Sequence, residues 1–104
     1  MNQVELRAYM EKFFQDCIDI SIKKNQDYAK DSDPFLNFRA AESVGATAEG
    51  GILIRMSDKL VRASNVIKKG RAAVSDETLE DTLKDLANYS AILSALLHDK
   101  KGKV

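Results

Sequence analysis

The chain contains few of the residues that build redox, disulfide or nucleophilic sites. Its 104 residues include one cysteine, one histidine, one proline and no tryptophan. A single cysteine excludes a disulfide within the chain, and Cys17 falls at an apolar helical position, where we expect a small core residue. The only histidine, His98, lies near the end of the sequence and is interpreted as a helix-end cation. No serine, cysteine and histidine set therefore supports nucleophilic catalysis. The glycines do not fit a phosphate-binding loop either.

Excess charge of one sign and long apolar runs are also lacking. Sixteen basic residues balance sixteen acidic residues, so no overall field would draw the protein to a nucleic acid duplex or an anionic membrane. No apolar run reaches the roughly 18 residues that span a bilayer, and the first residues do not resemble a signal peptide. We therefore expect a cytoplasmic protein whose partners include neither a membrane nor a nucleic acid polymer.

Apolar residues recur at helical spacing in three long segments, which predicts an all-α bundle that forms a single domain over residues 1–104. The segments cover about residues 3–24, 47–69 and 75–97, and a shorter helical turn is expected at 38–44. Gly70 should end the second long helix, and Ser75 should cap the third. A frayed basic tail is expected over residues 99–104.

The first helix carries more apolar surface than one neighbour can cover. One stripe contains Leu6, Met10, Phe13, Cys17 and Ile20, and a second contains Phe14, Ile18 and Ile22. Two helices of the same bundle could cover both stripes, or the second stripe could meet a partner subunit. We therefore expect a homo-oligomer, a dimer or larger.

Two charged residues border predicted buried faces. The buried face of the second long helix is expected to contain Ile52, Leu53, Met56, Leu60, Ala63 and Ile67. Lys59 lies at the edge of this face, and Asp85 lies at the edge of the apolar face of the third helix. An unpaired charge in such a place is costly. One interpretation is therefore a salt bridge between Lys59 and Asp85 that fixes the register of the helices.

A functional interpretation of the same charges is also open. Carboxylates spaced along one helix edge suit Mg²⁺, and the candidates are Glu77, Asp81 and Asp85, with Asp58 facing them. Cations that a phosphate ester requires would come from Arg55, Lys59 and Arg62. In an enzyme, Asp81 and Asp85 would hold the metal while Lys59 or Arg62 stabilises developing charge.

The segment from Lys24 to Phe38 holds three of the seven aromatic residues and the only proline. It alternates rings with carboxylates and amides, which are residue types that line small-molecule pockets. We interpret it as a ligand-facing loop of a nucleotide pocket, with rings that stack on the base and amides that read its edge. Its candidate ligand contacts are Asn25, Asp27, Tyr28, Phe35, Asn37 and Phe38. Alternatively, the three rings fold back and plug the end of the core.

Four motifs follow one another over about residues 20–95. They are Lys24-Asn25-x-Asp27-Tyr28, Asp33-Pro34-Phe35-x-Asn37-Phe38, Arg55-x-x-Asp58-Lys59-x-x-Arg62, and Asp76-Glu77 followed by Asp81-Thr82-Leu83-x-Asp85-Leu86-Ala87-Asn88-Tyr89. In this order they resemble the nucleotide modification associated domain, first type, a small family found largely in phage and bacterial genomes. The resemblance implies a link to modified nucleotides without fixing a reaction. It adds Lys24 and Asn88 to the candidate ligand contacts, and a phage-encoded member would work in the host cytoplasm.

The third helix is also similar to the last catalytic helix of the MazG-like all-α nucleoside triphosphate pyrophosphatases, whose acidic pairs bind Mg²⁺. The corresponding positions here are Glu77, Asp81 and Asp85. The sequence departs from that pattern because its acidic spacing is four rather than three. It also has Arg55-x-x-Asp58 where those enzymes have Glu-x-x-Glu. Direct binding of phosphate by Arg55, Lys59 and Arg62 would suit capture better than hydrolysis.

Three functions follow as hypotheses. The first is binding of a nucleotide or nucleotide-like phosphate ligand, with Mg²⁺-assisted hydrolysis of a phosphoanhydride if the protein is an enzyme. The second is a non-catalytic binder that sequesters or senses a nucleotide signal. The third is a small oligomeric adaptor that uses the second stripe of the first helix and binds no ligand.

Overall fold

The computed structural model describes residues 1–28, 33–70 and 77–102, and these residues are almost entirely helical. The elements are α1 (Gln3–Tyr28), α2 (Leu36–Arg39), a 3₁₀ turn (Ala40–Val44), α3 (Ala48–Lys68) and α4 (Glu77–Gly102). The described residues form no β-strand, which confirms the all-α prediction. Within the same ranges, no helix combines the length and apolar character needed to cross a bilayer.

The ends of α3 lie close to the predicted positions, because the local chemistry fixes them. The Thr47 hydroxyl accepts a hydrogen bond from the Gly50 backbone amide at 3.0 Å, which caps the first turn. At the other end, Gly70 has a φ angle of 104°, which residues other than glycine rarely adopt. Ser75, the predicted cap of α4, lies outside the described residues.

Two helices are longer than the sequence pattern indicated. α1 continues past Lys24 to Tyr28, which places the start of the predicted loop within the helix. α4 continues through residues 99–102, which were assigned to a frayed tail. The Lys100 ammonium pairs with the Glu49 carboxylate at the start of α3, and this contact ties the last turns of α4 to its neighbour.

α3 and α4 form an antiparallel pair that holds the core. Glu49 pairs with Lys100, and Lys59 pairs with Asp85, so residue numbers rise along one helix as they fall along the other. Between these ion pairs, the fully buried side chains of Ile52 and Leu96 meet beside Ala48. Partly buried side chains close around this centre from α3, α4 and the α2 region: Phe35, Phe38, Met56, Tyr89, Ile92 and Leu93.

The predicted buried face of α3 is only partly correct. Ile52 and Ala63 are buried, but the other flank of the predicted face is exposed: Leu53 is 53%, Leu60 61% and Ile67 56% exposed. At 3.6 residues per turn these three leucine and isoleucine positions lie well to one side of Ile52. The described chain covers only the Ile52 side of α3, chiefly with α4.

α1 joins this pair through the middle of its length. Cys17 is 3% exposed, which confirms the predicted core position, and burial raises the pKa of its thiol. Its backbone carbonyl accepts a hydrogen bond from the Asn88 side-chain amide at 3.1 Å. By contrast, residues 1–12 of α1 are exposed on every face. The second apolar stripe is exposed too, since Phe14, Ile18 and Ile22 are 48%, 52% and 55% exposed.

Candidate functional site

A cleft of about 400 Å³ opens where α1, α4, the α2 region and α3 approach one another. This volume lies within the usual range of small-molecule sites. The lining combines aromatic, cationic, acidic and amide side chains with small apolar ones: Ser21, Lys24, Pro34, Phe35, Asn37, Phe38, Arg55, Asp85, Asn88, Tyr89, Ala91, Ile92 and Ala95. We refer to it below as the central cleft.

The aromatic wall of the central cleft is built by Phe38 and Tyr89. Their rings meet edge to face, with centroids 6.3 Å apart and an interplanar angle of 88°, an arrangement that ring quadrupoles favour. The Arg55 guanidinium carbon lies 5.1 Å from the centroid of the Phe38 ring, within the distance at which a cation is attracted to a ring face. Phe38 therefore orients Arg55 without using its N–H donors.

The turn before α2 fixes this wall through one carboxylate. Asp33 accepts a hydrogen bond from the Phe35 backbone amide at 3.0 Å with Oδ1, and from Arg39 Nε at 3.0 Å with Oδ2. Such a short polar side chain stabilises a turn locally, and here it directs Phe35 towards the core. Phe35 and Phe38 pack against the core and also line the central cleft. The sequence suggested core packing and a place in a pocket as alternatives, and these two side chains do both.

The 3₁₀ turn can approach α3 closely because Gly51 has no side chain. A Cβ atom at Gly51 would lie 3.2 Å from the Cβ of Ala41, closer than atoms normally pack. The contact holds the segment that carries Phe38 against α3.

The polar side of the central cleft is organised by Asp85. Its Oδ1 lies 3.1 Å from Lys24 Nζ of α1, and its Oδ2 lies 3.1 Å from Lys59 Nζ of α3. The predicted salt bridge between Lys59 and Asp85 is therefore confirmed, and Lys24 is a second partner that the sequence did not reveal. The side chains of Asp85 and Lys59 are 20% and 25% exposed, whereas that of Lys24 is 54% exposed. Asp85 thus joins three helices around one partly buried carboxylate.

The structure divides the other predicted site residues into three groups. Seven line the central cleft: Lys24, Phe35, Asn37, Phe38, Arg55, Asp85 and Asn88. Lys59 does not line it but pairs with Asp85, a lining residue. Asp58, Arg62 and Asp81 are exposed at other places on α3 and α4. The side chains of Asn25, Asp27, Tyr28 and Glu77 lie outside the described part of the structure.

The structure bears on the predicted Mg²⁺ site and on Asn88, a predicted ligand contact. Among the described side chains, no three His, Cys, Asp or Glu groups converge to hold a metal ion. Because Glu77 is not among them, the predicted Mg²⁺ site stays a prediction. Asn88 donates its amide hydrogen to the Cys17 carbonyl, so at least part of this side chain holds α1 against α4.

Sequence reasoning did not select several lining residues. Tyr89 and Ile92 follow Asp85 by four and seven residues on α4, so the helical period alone places all three on one edge. Ser21 precedes Lys24 by one turn of α1 in the same way. The helical pattern does not predict where α1 crosses α4. The contacts that fix this crossing, such as the hydrogen bond from Asn88 to the Cys17 carbonyl, join residues that are distant in the sequence.

A second ion cluster joins α1 to α4. Lys84 Nζ lies 3.6 Å from both Asp16 Oδ2 and Glu80 Oε1, and Lys12 Nζ lies 2.6 Å from Asp16 Oδ1. Desolvation alone would lower the pKa of Lys84, but the charges of Glu80 and Asp16 outweigh it and the pKa is raised. The hydrogen bond from Lys12 is the main reason that the pKa of Asp16 is lowered. This cluster supports the helix contact and does not line the central cleft.

Comparison with known proteins finds no relative of the chain. No family model, no curated protein and no solved structure matches the chain. The resemblance to the nucleotide modification associated domain therefore stays a prediction. The function has to be argued from the residues of the central cleft.

Proposed function

We propose that the central cleft binds a small molecule that carries both a flat ring and a phosphate, namely a nucleotide or nucleotide-like ligand. The observation that carries this proposal is the placement of two cations, Lys24 and Arg55, beside the aromatic wall of Phe38 and Tyr89 in a cleft of about 400 Å³. Rings provide stacking surfaces for a base. Ammonium and guanidinium groups provide the charge-assisted hydrogen bonds that phosphate favours.

The roles of the two cations differ. Arg55 is held by the face of Phe38 and keeps its forked N–H donors for a phosphate, which it can contact through two parallel hydrogen bonds. Lys24 is the more exposed partner of Asp85, so an incoming phosphate can draw it away at little cost. Lys59 then stays with Asp85 and keeps the carboxylate neutralised.

The same arrangement favours capture over hydrolysis. Magnesium requires carboxylate oxygens that can coordinate it directly, whereas each oxygen of Asp85 lies 3.1 Å from a lysine ammonium group. We therefore propose a binder as the main function. Mg²⁺-assisted hydrolysis with Asp81 and Asp85 is the alternative that product analysis separates from it.

The proposal is tested by thermal unfolding and calorimetry with nucleoside mono-, di- and triphosphates and cyclic nucleotides, with and without Mg²⁺, followed by chromatography of each mixture. A ligand at 100 times its dissociation constant should add about 2.7 kcal/mol to the free energy of unfolding. Intact nucleotide after incubation supports the binder, and released phosphate or pyrophosphate supports the hydrolase. No binding of any member contradicts both.

Two arginines of α3 provide a matched pair for locating the site. Arg55 lines the central cleft, while Arg62 is exposed elsewhere on the same helix. Loss of a charge-assisted contact costs about 1.5–3 kcal/mol, so Arg55→Gln should weaken binding roughly 10- to 100-fold. Arg62→Gln should leave the affinity unchanged. Equal effects of the two substitutions would place the ligand outside the central cleft.

A further inference from the structure

The N-terminal half of α1 extends beyond the rest of the described molecule. Residues 1–12 are exposed on every face, yet the helix presents a row of large apolar side chains there. We call four such side chains, three from residues 1–12 and one from the next turn, the overhang stripe: Leu6 (41% exposed), Tyr9 (52%), Met10 (46%) and Phe14 (48%). A helical segment as short as residues 3–12 is only marginally stable in water when nothing packs on it. These turns therefore need a covering surface.

The overhang stripe continues the seam through which α1 already packs. At 3.6 residues per turn, Leu6 and Met10 lie on the same side of the helix as Cys17, and Cys17 is buried against α4. α4 begins its described path at Glu77, and the described residues offer nothing to cover the seam further towards the N-terminus. The face that packs inside the molecule at Cys17 is therefore left open at Met10.

The chain also exposes a second apolar row. On α3, the side chains of Leu53, Leu60 and Ile67 are each more than half exposed, and we call them the α3 stripe. They follow one another at seven-residue spacing, as in helices that pack along a partner helix. One chain thus carries two unmatched apolar surfaces of similar kind.

The total surface indicates how much area a partner should cover. A folded monomer of 11.6 kDa is expected to expose about 5,800 Å², but the chain exposes 7815 Å². Its radius of gyration of 15.8 Å likewise exceeds the roughly 13 Å expected for this length. The excess is about 2,000 Å² per chain, so two chains that covered each other would bury about 4,000 Å², within the range of obligate homodimers.

We propose that a second copy of this chain covers the overhang stripe, with the α3 stripe of each copy receiving the α1 overhang of the other. In a two-fold dimer such a contact forms twice, which accounts for both uncovered surfaces with one partner.

The proposal is independent of the ligand and is tested by sedimentation of the unliganded full chain. The wild type should sediment at about 23 kDa, which is twice the 11.6 kDa of one chain. Phe14→Glu on the overhang stripe and Leu60→Glu on the α3 stripe should each shift the species to the monomer mass, because each places a charge in the apolar contact. Val44→Glu is the matched control, since Val44 is 83% exposed on the 3₁₀ turn, and it should leave the dimer intact.

Each sedimentation result either supports or contradicts the proposed dimer. A monomeric wild type overturns the proposal, and so does a dimer that survives Phe14→Glu. Dissociation by only one of the two variants shows that the reciprocal pairing is wrong. Circular dichroism checks that each variant keeps its helices. If a variant unfolds, cross-linking of the wild type between Lys12 and lysines of α3 replaces it, and cross-links confined to single chains contradict the dimer.

Discussion

The α3–α4 pair and the N-terminal half of α1 are helices of similar composition in very different surroundings. In the pair, Ile52 and Leu96 are fully buried and an ion pair lies on each side of this core. In α1, the first buried residue along the chain is Cys17. Helical pattern alone does not separate the two regions, because both show apolar residues at the right spacing. What separates them is whether the described chain supplies a covering surface.

The central cleft lies between the α3–α4 pair and the C-terminal half of α1. Phe38, Arg55 and Tyr89 come from the well-packed side, while Ser21 and Lys24 come from α1. The polar contacts that hold α1 to the pair include Asn88 to the Cys17 carbonyl, Asp85 to Lys24, and Lys84 to Asp16. A ligand that bridges both sides would therefore stabilise the α1 contact.

The largest expected effect comes from breaking the core of the pair. Leu96 is 0% exposed and Leu97 is 45% exposed at the next position of α4. Leu96→Ala should lower the free energy of unfolding by about 2–5 kcal/mol, because it leaves a cavity against Ile52. Leu97→Ala, measured by the same urea denaturation, should cost less than about 1.5 kcal/mol because less area is lost. Equal losses would mean that the core does not lie between Ile52 and Leu96.

An intermediate effect is expected at Asp85, which joins α1 to the pair. Asp85→Asn should cost about 1–2 kcal/mol, more than an exposed ion pair and less than a fully buried one. A double-mutant cycle should give a larger coupling energy with Lys59 than with Lys24, because the Lys59 pair is less exposed. Asp58→Asn, an exposed carboxylate of α3, is the control. No measurable coupling with either lysine would contradict the bridging role.

The smallest effect concerns acid stability. Hydrogen bonds from Lys12 and Lys100 are the main reasons that the pKa values of Asp16 and Glu49 lie below their ordinary values of 3.8 and 4.5. A carboxyl group with a lowered pKa in the folded state stabilises it above the unfolded pKa, and this contribution is lost as the pH falls through the folded pKa. The free energy of unfolding should therefore decrease from neutral pH towards pH values below these ordinary values. Glu49→Gln and Lys100→Gln should each reduce that decrease, and unchanged pH dependence in both would contradict the pairing.

Many features of the fold can be predicted from the local sequence, because local interactions determine them. Thr47 and Gly70 bound α3 through a cap and a positive φ, and the boundary positions of Lys59 and Asp85 indicated their salt bridge. The side of α3 that is buried was not fully readable. Leu53 and Ile52 have similar side chains, and only the position of α4 makes one buried and leaves the other exposed.

The candidate site was predictable to the same extent. The chemistry of four side chains made them candidates, and they line one cleft: Phe35, Asn37, Phe38 and Arg55. Arg62 and Asp81 share helix edges with Arg55 and Asp85 but do not line the cleft. Helical spacing tells which residues share an edge, but not where along that edge the other helices cross it. Lys24 reaches Asp85 across 61 positions of sequence, a contact that depends on how α1 crosses α4.

The most direct test of this account compares amide hydrogen exchange in the two regions at increasing protein concentration. Amides around Ile52 and Leu96 should be protected at every concentration, because their core is internal to one chain. Amides at residues 6–14 of α1 should gain protection as the concentration rises from about 1 μM to about 200 μM, because mass action then favours the dimer that covers them. Fast exchange at residues 6–14 throughout, with a monomer mass, would contradict the account.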